Sequence, residues 1–580
     1  MDSNAVREMY EFITARHDEC LDGYLHDVLV RDRNNPLYGQ YVDRNMLDEF
    51  SESAFASYVV SSYCTPISKY YHSDEALNHI CDICDAALKK MNADGTTNML
   101  TTNLHTADQF ALVGIADAVH DMLGCLSGRE HEAVALKKLK AVVAGLANGC
   151  MHSGFHTPNH RWIEAEALIS ATAVMGDEAD PRWMKKAEAY LAEGIDCDEY
   201  GEWSERSAGM YNHHCDMAFL TMYRYTGRRE YLDAACRNLD LMLYYINDDM
   251  SMFSLNSRRK DKGETGACSM FSKAMTYYAD YYCGDYLEAA YYTGNQIYLN
   301  TAVEIFRWCM KSGRFPQLRS HLFLGCPDIL DMKPDGVTLR PREYELYQPK
   351  SRIVRKKCGG ISYTVMGMSP YFLVIDAHEV HLRARMCSSF FAVAQFVSDE
   401  MTYENGRYIL KMRAHGEYKL PLENPDESCR NYWSIDYSAR KPACQLDLYM
   451  TAEIKLNDDG VDLKIKVDGY DHVPFKLEIF TNAGMICECG DATMYTKAGS
   501  HIFSRGSDVT LRGPDMTVVT VGGLTCEHLY AENMRGSYDL PSDCFTVFST
   551  AFSPVDADVT IKIGRQDGAY IYPRKNYYQR

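Results

Sequence analysis

Apolar positions in the first half of the chain recur at helical spacing. Between residues 74 and 91 they fall at Ala76, Leu77, Ile80, Ile83, Cys84 and Leu88, the rhythm of a helix with one buried face. Asp74 stands where a cap would. The same spacing covers residues 110–126, 133–147, 165–174, 183–195, 217–225, 231–246 and 302–310. The separators are short and carry turn formers: Asp94-Gly95, Ser127-Gly128, Asp180-Pro181, Gly227 and Gly294. The pattern predicts roughly ten to twelve helices in antiparallel pairs, without the strict repeat of a solenoid. A closed (α/α) toroid is the natural arrangement for so many hairpins.

After Met310 the rhythm changes. Residues 313–358 are rich in Pro, Gly and Arg and read as an interdomain crossing. From Gly359 onward period-two alternation and short apolar runs take over, as at residues 371–376, 381–386, 445–450, 461–467, 518–521 and 559–563. Asp458-Asp459-Gly460 is a hairpin signal. The expectation is an α+β multidomain chain: residues 1–312 an (α/α) toroid, 313–358 the crossing, 359–580 an antiparallel β-sandwich.

At 580 residues the chain is too long for one ordinary core, which agrees with two domains. Its net charge of −20 argues against nucleic acid and against an anionic membrane surface as partners. An anionic substrate stays open, because it responds to the local field of a cleft. The 42 tyrosines suit a sugar-binding cleft, where a ring stacks and its hydroxyl hydrogen-bonds, although helix packing accounts for most of them. The first ten residues have no basic and apolar leader pattern. The 21 cysteines are scattered, and Cys81-Asp-Ile-Cys84 sits mid-helix with no second pair at a zinc spacing. These features set a cytoplasmic location as the expectation.

Candidate chemistry concentrates at helix starts. Thr157-Pro158 reads as a cap followed by proline at the first helical position, which puts Asn159 and His160 in the first turn. Free backbone N–H groups and the helix dipole attract an anion there. Asn159 can donate two hydrogen bonds, His160 can carry a proton near neutral pH, and Arg161 adds fixed charge. A second start follows Asn103-Leu-His105-Thr106, with Thr106 as cap and Asp108 in the first turn. A third follows Gly201 and leads through Tyr211 to His213-His214. The three lie roughly fifty residues apart, about one helical hairpin, so alternate inner helices would bring them to one end of a ring.

This arrangement resembles the heparinase II/III and oligo-alginate lyase group of polysaccharide lyases, in architecture and in Asn159-His160-Arg161-Trp162 followed by Tyr211. The resemblance implies that Asn159 and His160 hold a substrate carboxylate and that Tyr211 is the catalytic tyrosine. Such enzymes cleave a uronic-acid glycan by β-elimination: the proton at C5 leaves, and so does the group on O4. Hydrogen bonds from Asn159, His160 and the helix start would stabilise the enolate-like charge. Tyr211 could serve as base, acid or both, with a cation such as Arg206 favouring its ionised form. If the groups leave from one face, Tyr211 does both jobs; if from opposite faces, His160 is the base and Tyr211 the acid.

Further substrate contacts are expected from Asn103, His105, Asp108 and Arg161, from His213, and from Arg258 or Arg259 in the polar loop 256–261. The reaction calls for no cofactor. Some relatives carry zinc in the sandwich, and His378-Glu-Val-His381 is where a structural metal would sit in this chain, although its spacing is not that of a helical metalloprotease site. The expected partner is an anionic oligosaccharide, with no nucleic acid and no membrane; a homodimer is left open. A glycoside hydrolase needs two flanking carboxylates, for which Glu164, Glu166, Glu202, Glu205 and Asp216 are available. A uronate C5-epimerase would share the proton abstraction.

Overall fold

A computed structural model describes residues 4–27, 34, 49–99, 104–106, 109–262, 276–393, 395–423 and 431–566. The chain forms two compact units, Met1–Lys262 with Thr276–Arg340, and Gly263–Met275 with Pro341–Arg580.

Twelve α-helices build the first unit among the described residues: α1 (Ala5–Asp27), α2 (Glu49–Cys64), α3 (Asp74–Lys90), α4 (Gln109–Cys125), α5 (Glu130–Cys150), α6 (Pro158–Met175), α7 (Pro181–Ala192), α8 (Tyr211–Thr226), α9 (Arg229–Tyr245), α10 (Cys283–Thr293), α11 (Gln296–Ser312) and α12 (Ser320–Gly325). Consecutive helices pair as hairpins, α2 with α3 through to α10 with α11. The first members form the inner row, with α2 on α4, α4 on α6, α6 on α8 and α8 on α10. α12 packs on α1, α2 and α4, and α1 also meets α11, which closes the row into a toroid. All inner helix starts therefore face one end.

Burial follows the apolar stripes. α4 buries Leu112, Ile115, Val119 and Met122, and α6, an inner helix, buries nearly its whole length, including Trp162, Leu168 and Glu166. The cap of α3 is Ser73, whose hydroxyl accepts from Ala76 N at 3.4 Å. Asp74 is already helical and pairs with Arg129 at 2.9 Å. Thr106 does not cap α4 either: Leu104–Thr106 is a short strand paired with Thr97–Met99. A disulfide joins Cys64 and Cys125 at the ends of α2 and α4, and the other seventeen described cysteines are free. Among the described residues no helix is long and apolar enough to cross a membrane.

The stretch 313–358 is ordered and divides between the units. Its first part holds α12 and a 3-10 turn, Pro327–Asp331. The loop beyond is pinned to α11, where Asn300 Nδ2 donates to Asp335 Oδ1 at 2.6 Å and to the Thr338 carbonyl at 2.9 Å. Its last part already supplies strands Tyr344–Gln348 and Ile353–Cys358.

The second unit is two stacked, mostly antiparallel sheets. One has nine strands, in spatial order Ala492–Tyr495, Ile486–Cys489, Val509–Arg512, Thr517–Gly522, Val555–Arg565, Gly460–Asp468, Pro442–Leu456, Arg407–Lys419 and Glu400–Glu404. The other has eight: His501–Phe503, Phe545–Phe552, Pro474–Thr481, Val380–Ser388, Leu373–Ala377, Ile361–Met366, Ile353–Cys358 and Tyr344–Gln348. Asp458-Asp459-Gly460 does turn a hairpin, with Leu456 opposite Val461. The inner faces share one core, in which Val365, Leu382 and Ile479 of one sheet join Leu410, Ile454 and Ile465 of the other. Buried positions alternate with half-buried or exposed ones along Gly460–Asp468 and Val555–Arg565 of the nine-stranded sheet, as the period-two pattern requires. The helical region followed by these two sheets is a toroid-plus-sandwich architecture.

Candidate active site

The start of α6 is built by extended backbone at Thr157 (φ −139°, ψ 150°) and Pro158 at the first helical position. The Thr157 hydroxyl makes no capping bond to the backbone; it accepts instead from Asn159 Nδ2 at 3.3 Å. The same amide donates to Glu205 Oε2 at 2.7 Å. Asn159 has no exposed surface, so its side chain faces the protein. His160, in the same turn, is half-buried, and its Nδ1 lies 2.9 Å from Gln109 Nε2 at the start of α4. With the Gln109 amide assigned as donor, Nδ1 accepts and Nε2 carries the proton. Burial, reinforced by His156 and Arg259, pulls the His160 pKa down to about 4, so the ring is a neutral N–H donor.

The start of α8 is fixed by its preceding loop. Tyr211 N donates to Ser207 Oγ at 3.1 Å, and Ser207 N donates back to Asn212 Oδ1 at 3.1 Å. Gly209 N donates to Asp261 Oδ2 at 2.9 Å, and a Cβ at position 209 would lie 2.7 Å from that oxygen and 3.0 Å from Tyr277 Cβ. Only glycine allows this approach. Asp261, fully buried, also takes the Ser257 hydroxyl and so ties loop 257–262 to loop 207–211. The result is that the Arg259 guanidinium lies over the Tyr211 ring, 4.1 Å from its centroid. Arg259 is held in turn by Glu205 Oε1. Glu205 thus gives one oxygen to Asn159 and the other to Arg259, linking the two helix starts.

Three histidines complete the cluster. Phe110 packs edge-on against both His160 and His214, at 5.2 and 5.7 Å between centroids, and His214 lies 6.0 Å from Tyr211. Burial drives the His214 pKa to about 3. His213 differs: its Nδ1 is 2.6 Å from Asp285 Oδ2, a buried carboxylate on α10. A carboxylate at Nδ1 orients the ring and leaves Nε2 for proton exchange.

The structure thus gathers Asn159, His160, Tyr211, His213 and Arg259. It does not bring Arg161 to them: that side chain pairs with Glu193 at 3.1 Å and Asp196 at 3.6 Å and stacks on Trp162. Arg258 is exposed, its backbone N bonded to the Glu205 carbonyl at 3.0 Å. Arg206 lies among Glu202, Tyr245 and Arg258, so the cation beside Tyr211 is Arg259. Asn103 and Asp108 lie outside the described residues, as does the His105 side chain, whose backbone pairs with Asn98. His378 and His381 stand apart: His381 Nδ1 meets Asp376 at 2.7 Å, while His378 sits in the turn against Gly360.

Four of the five carboxylates that a hydrolase could use have close partners, Glu205 as described, and Glu166 has Arg319 at 3.7 Å. Glu164 pairs with Lys186 at 2.7 Å, and Glu202 takes Tyr245 and Asn256, each at 3.2 Å. Asp216 takes Trp203 at 3.0 Å and is pushed well above the carboxylate range by burial. Glu166 is pushed up to about 8 by burial. Gln109, Glu205 and Asp285 are the residues that sequence reasoning did not assign to the cluster as organisers. Two acids and a tryptophan so close together in Gly201-Glu-Trp-Ser-Glu205 were the available signal for a buried network.

No family model matches the chain, and no curated protein matches it. Solved structures do. A xanthan lyase of Paenibacillus overlays 96% of this chain and 57% of its own, with a TM-score of 0.53 at 10% identity. The fold is that of the toroid-plus-sandwich polysaccharide lyases. The heparan sulfate lyase HepC of Pedobacter heparinus covers 96% of this chain and 84% of its own, with a TM-score of 0.49 at 11% identity. Heparinase III covers 97% and 92%, with a TM-score of 0.47 at 10% identity. At such identities the likeness speaks to fold alone, and this chain spans little more than half of the xanthan lyase.

Proposed function

We propose that the protein is a carbon–oxygen lyase that cleaves a uronic-acid-containing oligosaccharide by β-elimination. The observation that carries this reading is Glu205 bridging Asn159 and Arg259, with Arg259 over Tyr211. An anion-binding helix start and a tyrosine are thereby held in one cluster. The His160 Nε2–H and the Arg259 guanidinium are the half-exposed donors for a substrate carboxylate. Asn159 acts behind them by fixing Glu205. Charge that develops on the carboxylate as C5 loses its proton is met by donors already in place.

Acting as its phenolate, Tyr211 Oη takes the C5 proton and delivers it to O4, which leaves with the electron pair of the broken C4–O4 bond. The electron pair of the C–H bond becomes the C4–C5 double bond. His160 is not the base in this reading, because its Nδ1 is engaged by Gln109 and its pKa lies near 4. If the groups depart from opposite faces, the Asp285-backed His213 supplies the base. A net charge of −20 repels a long polyanion, which favours short oligosaccharides as substrates.

Mass analysis of the products tests the reaction class. Elimination gives fragments whose masses sum to that of the substrate, hydrolysis adds one water per cleavage, and epimerisation cleaves nothing. Fragments that gain water would overturn the lyase reading in favour of the hydrolase.

A further inference from the structure

At the far end of α4 a second cluster of chemistry-bearing side chains is unrelated to the cleft. His120 and Asp121 lie eleven and twelve residues after Gln109, so about 16 Å along the helix from the start that meets His160. Asp121 Oδ1 is 2.6 Å from His321 Nδ1 and 3.6 Å from His120 Nδ1. One ligand atom from each of the three residues falls within 4.8 Å of the others.

Asp121 and His321 are buried, His321 with 4% of its surface exposed. Two ring nitrogens, His120 Nδ1 and His321 Nε2, are buried without a hydrogen-bond partner among the described residues. Asp117 Oδ1 stands 3.4 Å from the latter and accepts the Tyr225 hydroxyl at 3.3 Å, while its other oxygen pairs with Arg319. The nearby cations are likewise committed, Arg224 to Glu288 and Arg319 to Asp117. Among the described residues Asp121 has only the two imidazoles as ionic partners. Beside the rings stands Gly325, where a Cβ would lie 3.6 Å from Cε1 of each, so no side chain fills that space.

We propose that His120, Asp121 and His321 bind one divalent transition-metal ion of the zinc class. Two imidazole nitrogens and one carboxylate oxygen suit zinc, with water in the fourth position, reached past the half-exposed His120. An all-oxygen set would be needed for calcium or magnesium. The ion takes the place of the proton between His321 Nδ1 and Asp121, and that proton moves to the unpartnered Nε2, so the imidazole ligates in its neutral form. Its effect is structural: it clips α12 to α4 across 200 residues of sequence, at the place where the toroid closes.

The test uses the full chain without a histidine tag, stripped with chelator and titrated with zinc chloride. One equivalent binds, and the melting midpoint rises by about 3–5 °C at a hundredfold excess over Kd. His120→Ala, a partly exposed position whose loss strands no buried charge, keeps the metal-free midpoint but loses both the equivalent and the rise. His321→Gln does the same if it folds; His120→Ala decides if it does not. No stoichiometric zinc in the wild type, or an undiminished rise in His120→Ala from adventitious binding to cysteines elsewhere, overturns the proposal. Neither outcome touches the lyase reading.

Discussion

The guanidinium of Arg259 lies over the ring of Tyr211, 4.1 Å from its centroid, although 48 positions separate them in the chain. Three tethers hold it there: Glu205 on the guanidinium, Asp261 joining the two loops, and Gly209 letting those loops touch. The first prediction concerns Glu205. Glu205→Gln keeps the shape and the bond to Asn159 but removes the charge that aims Arg259. Turnover should fall about 10²-fold, the cost of a misplacement near 1 Å. Arg259→Lys should raise KM at least about tenfold, because a lysine cannot reproduce the planar fork. Steady-state kinetics on uronate oligosaccharides measure both, and a Glu205→Gln enzyme with wild-type kcat would show that Arg259 needs no aiming.

Gly209→Ala tests the loop contact. The added methyl collides with Asp261 and Tyr277. We expect a stability loss of about 1–3 kcal/mol, typical of overpacking, and a larger proportional loss in kcat than in substrate binding. Thermal melting and kinetics on the same preparation separate the two. Unchanged kcat would mean that the loop does not position Tyr211.

The helix starts at Asn159 and Tyr211 were legible because they depend on local rules: a proline at the first position, polar residues before an apolar stripe, a glycine at the stop. The change from helical to strand period was legible for the same reason, although the helical unit runs on past residue 312, through α12, to Arg340. Who meets whom was not legible. Arg161 stands beside His160 in sequence yet turns to Glu193 and Asp196, whereas Arg259 arrives from nearly a hundred residues away. Gln109 and Asp285 reach their histidines across 51 and 72 positions. Such pairings depend on how helices close into a ring, and no periodicity encodes that. Asn159 was expected to face substrate from its place in the turn, and its burial came from a partner, Glu205, that the turn itself does not reveal.

Acid stability follows from the buried histidines. Burial lowers the pKa of His17 and His160 to about 4 and of His214 to about 3. Between the ordinary value near 6.5 and these depressed values, the unfolded chain binds more protons than the folded one. Their contribution is complete above pH ~6.5 and is lost as pH falls toward about 4. Glu166 works with the opposite sign, since its raised value near 8 costs stability as pH rises from about 4.5 to 8. Glu166→Gln should therefore gain on the wild type across that window and stay level above it. His214→Leu should shallow the acid side. Denaturant melts at a series of pH values measure both slopes, and a Glu166→Gln advantage independent of pH would contradict the assignment.

The central claim is that Tyr211 moves the proton in an elimination. Elimination leaves a double bond conjugated with the carboxylate, which absorbs in the ultraviolet. The most direct measurement follows that absorbance during turnover of uronate oligosaccharides by the wild type and by Tyr211→Phe, which keeps the ring under Arg259 but has no hydroxyl. The account predicts a steady rise with the wild type and a rate lower by at least about 10²-fold, the smallest loss expected for a proton-transfer group, with melting unchanged. Cleavage without any rise in absorbance, or a Tyr211→Phe enzyme retaining more than about a tenth of wild-type kcat, would contradict it.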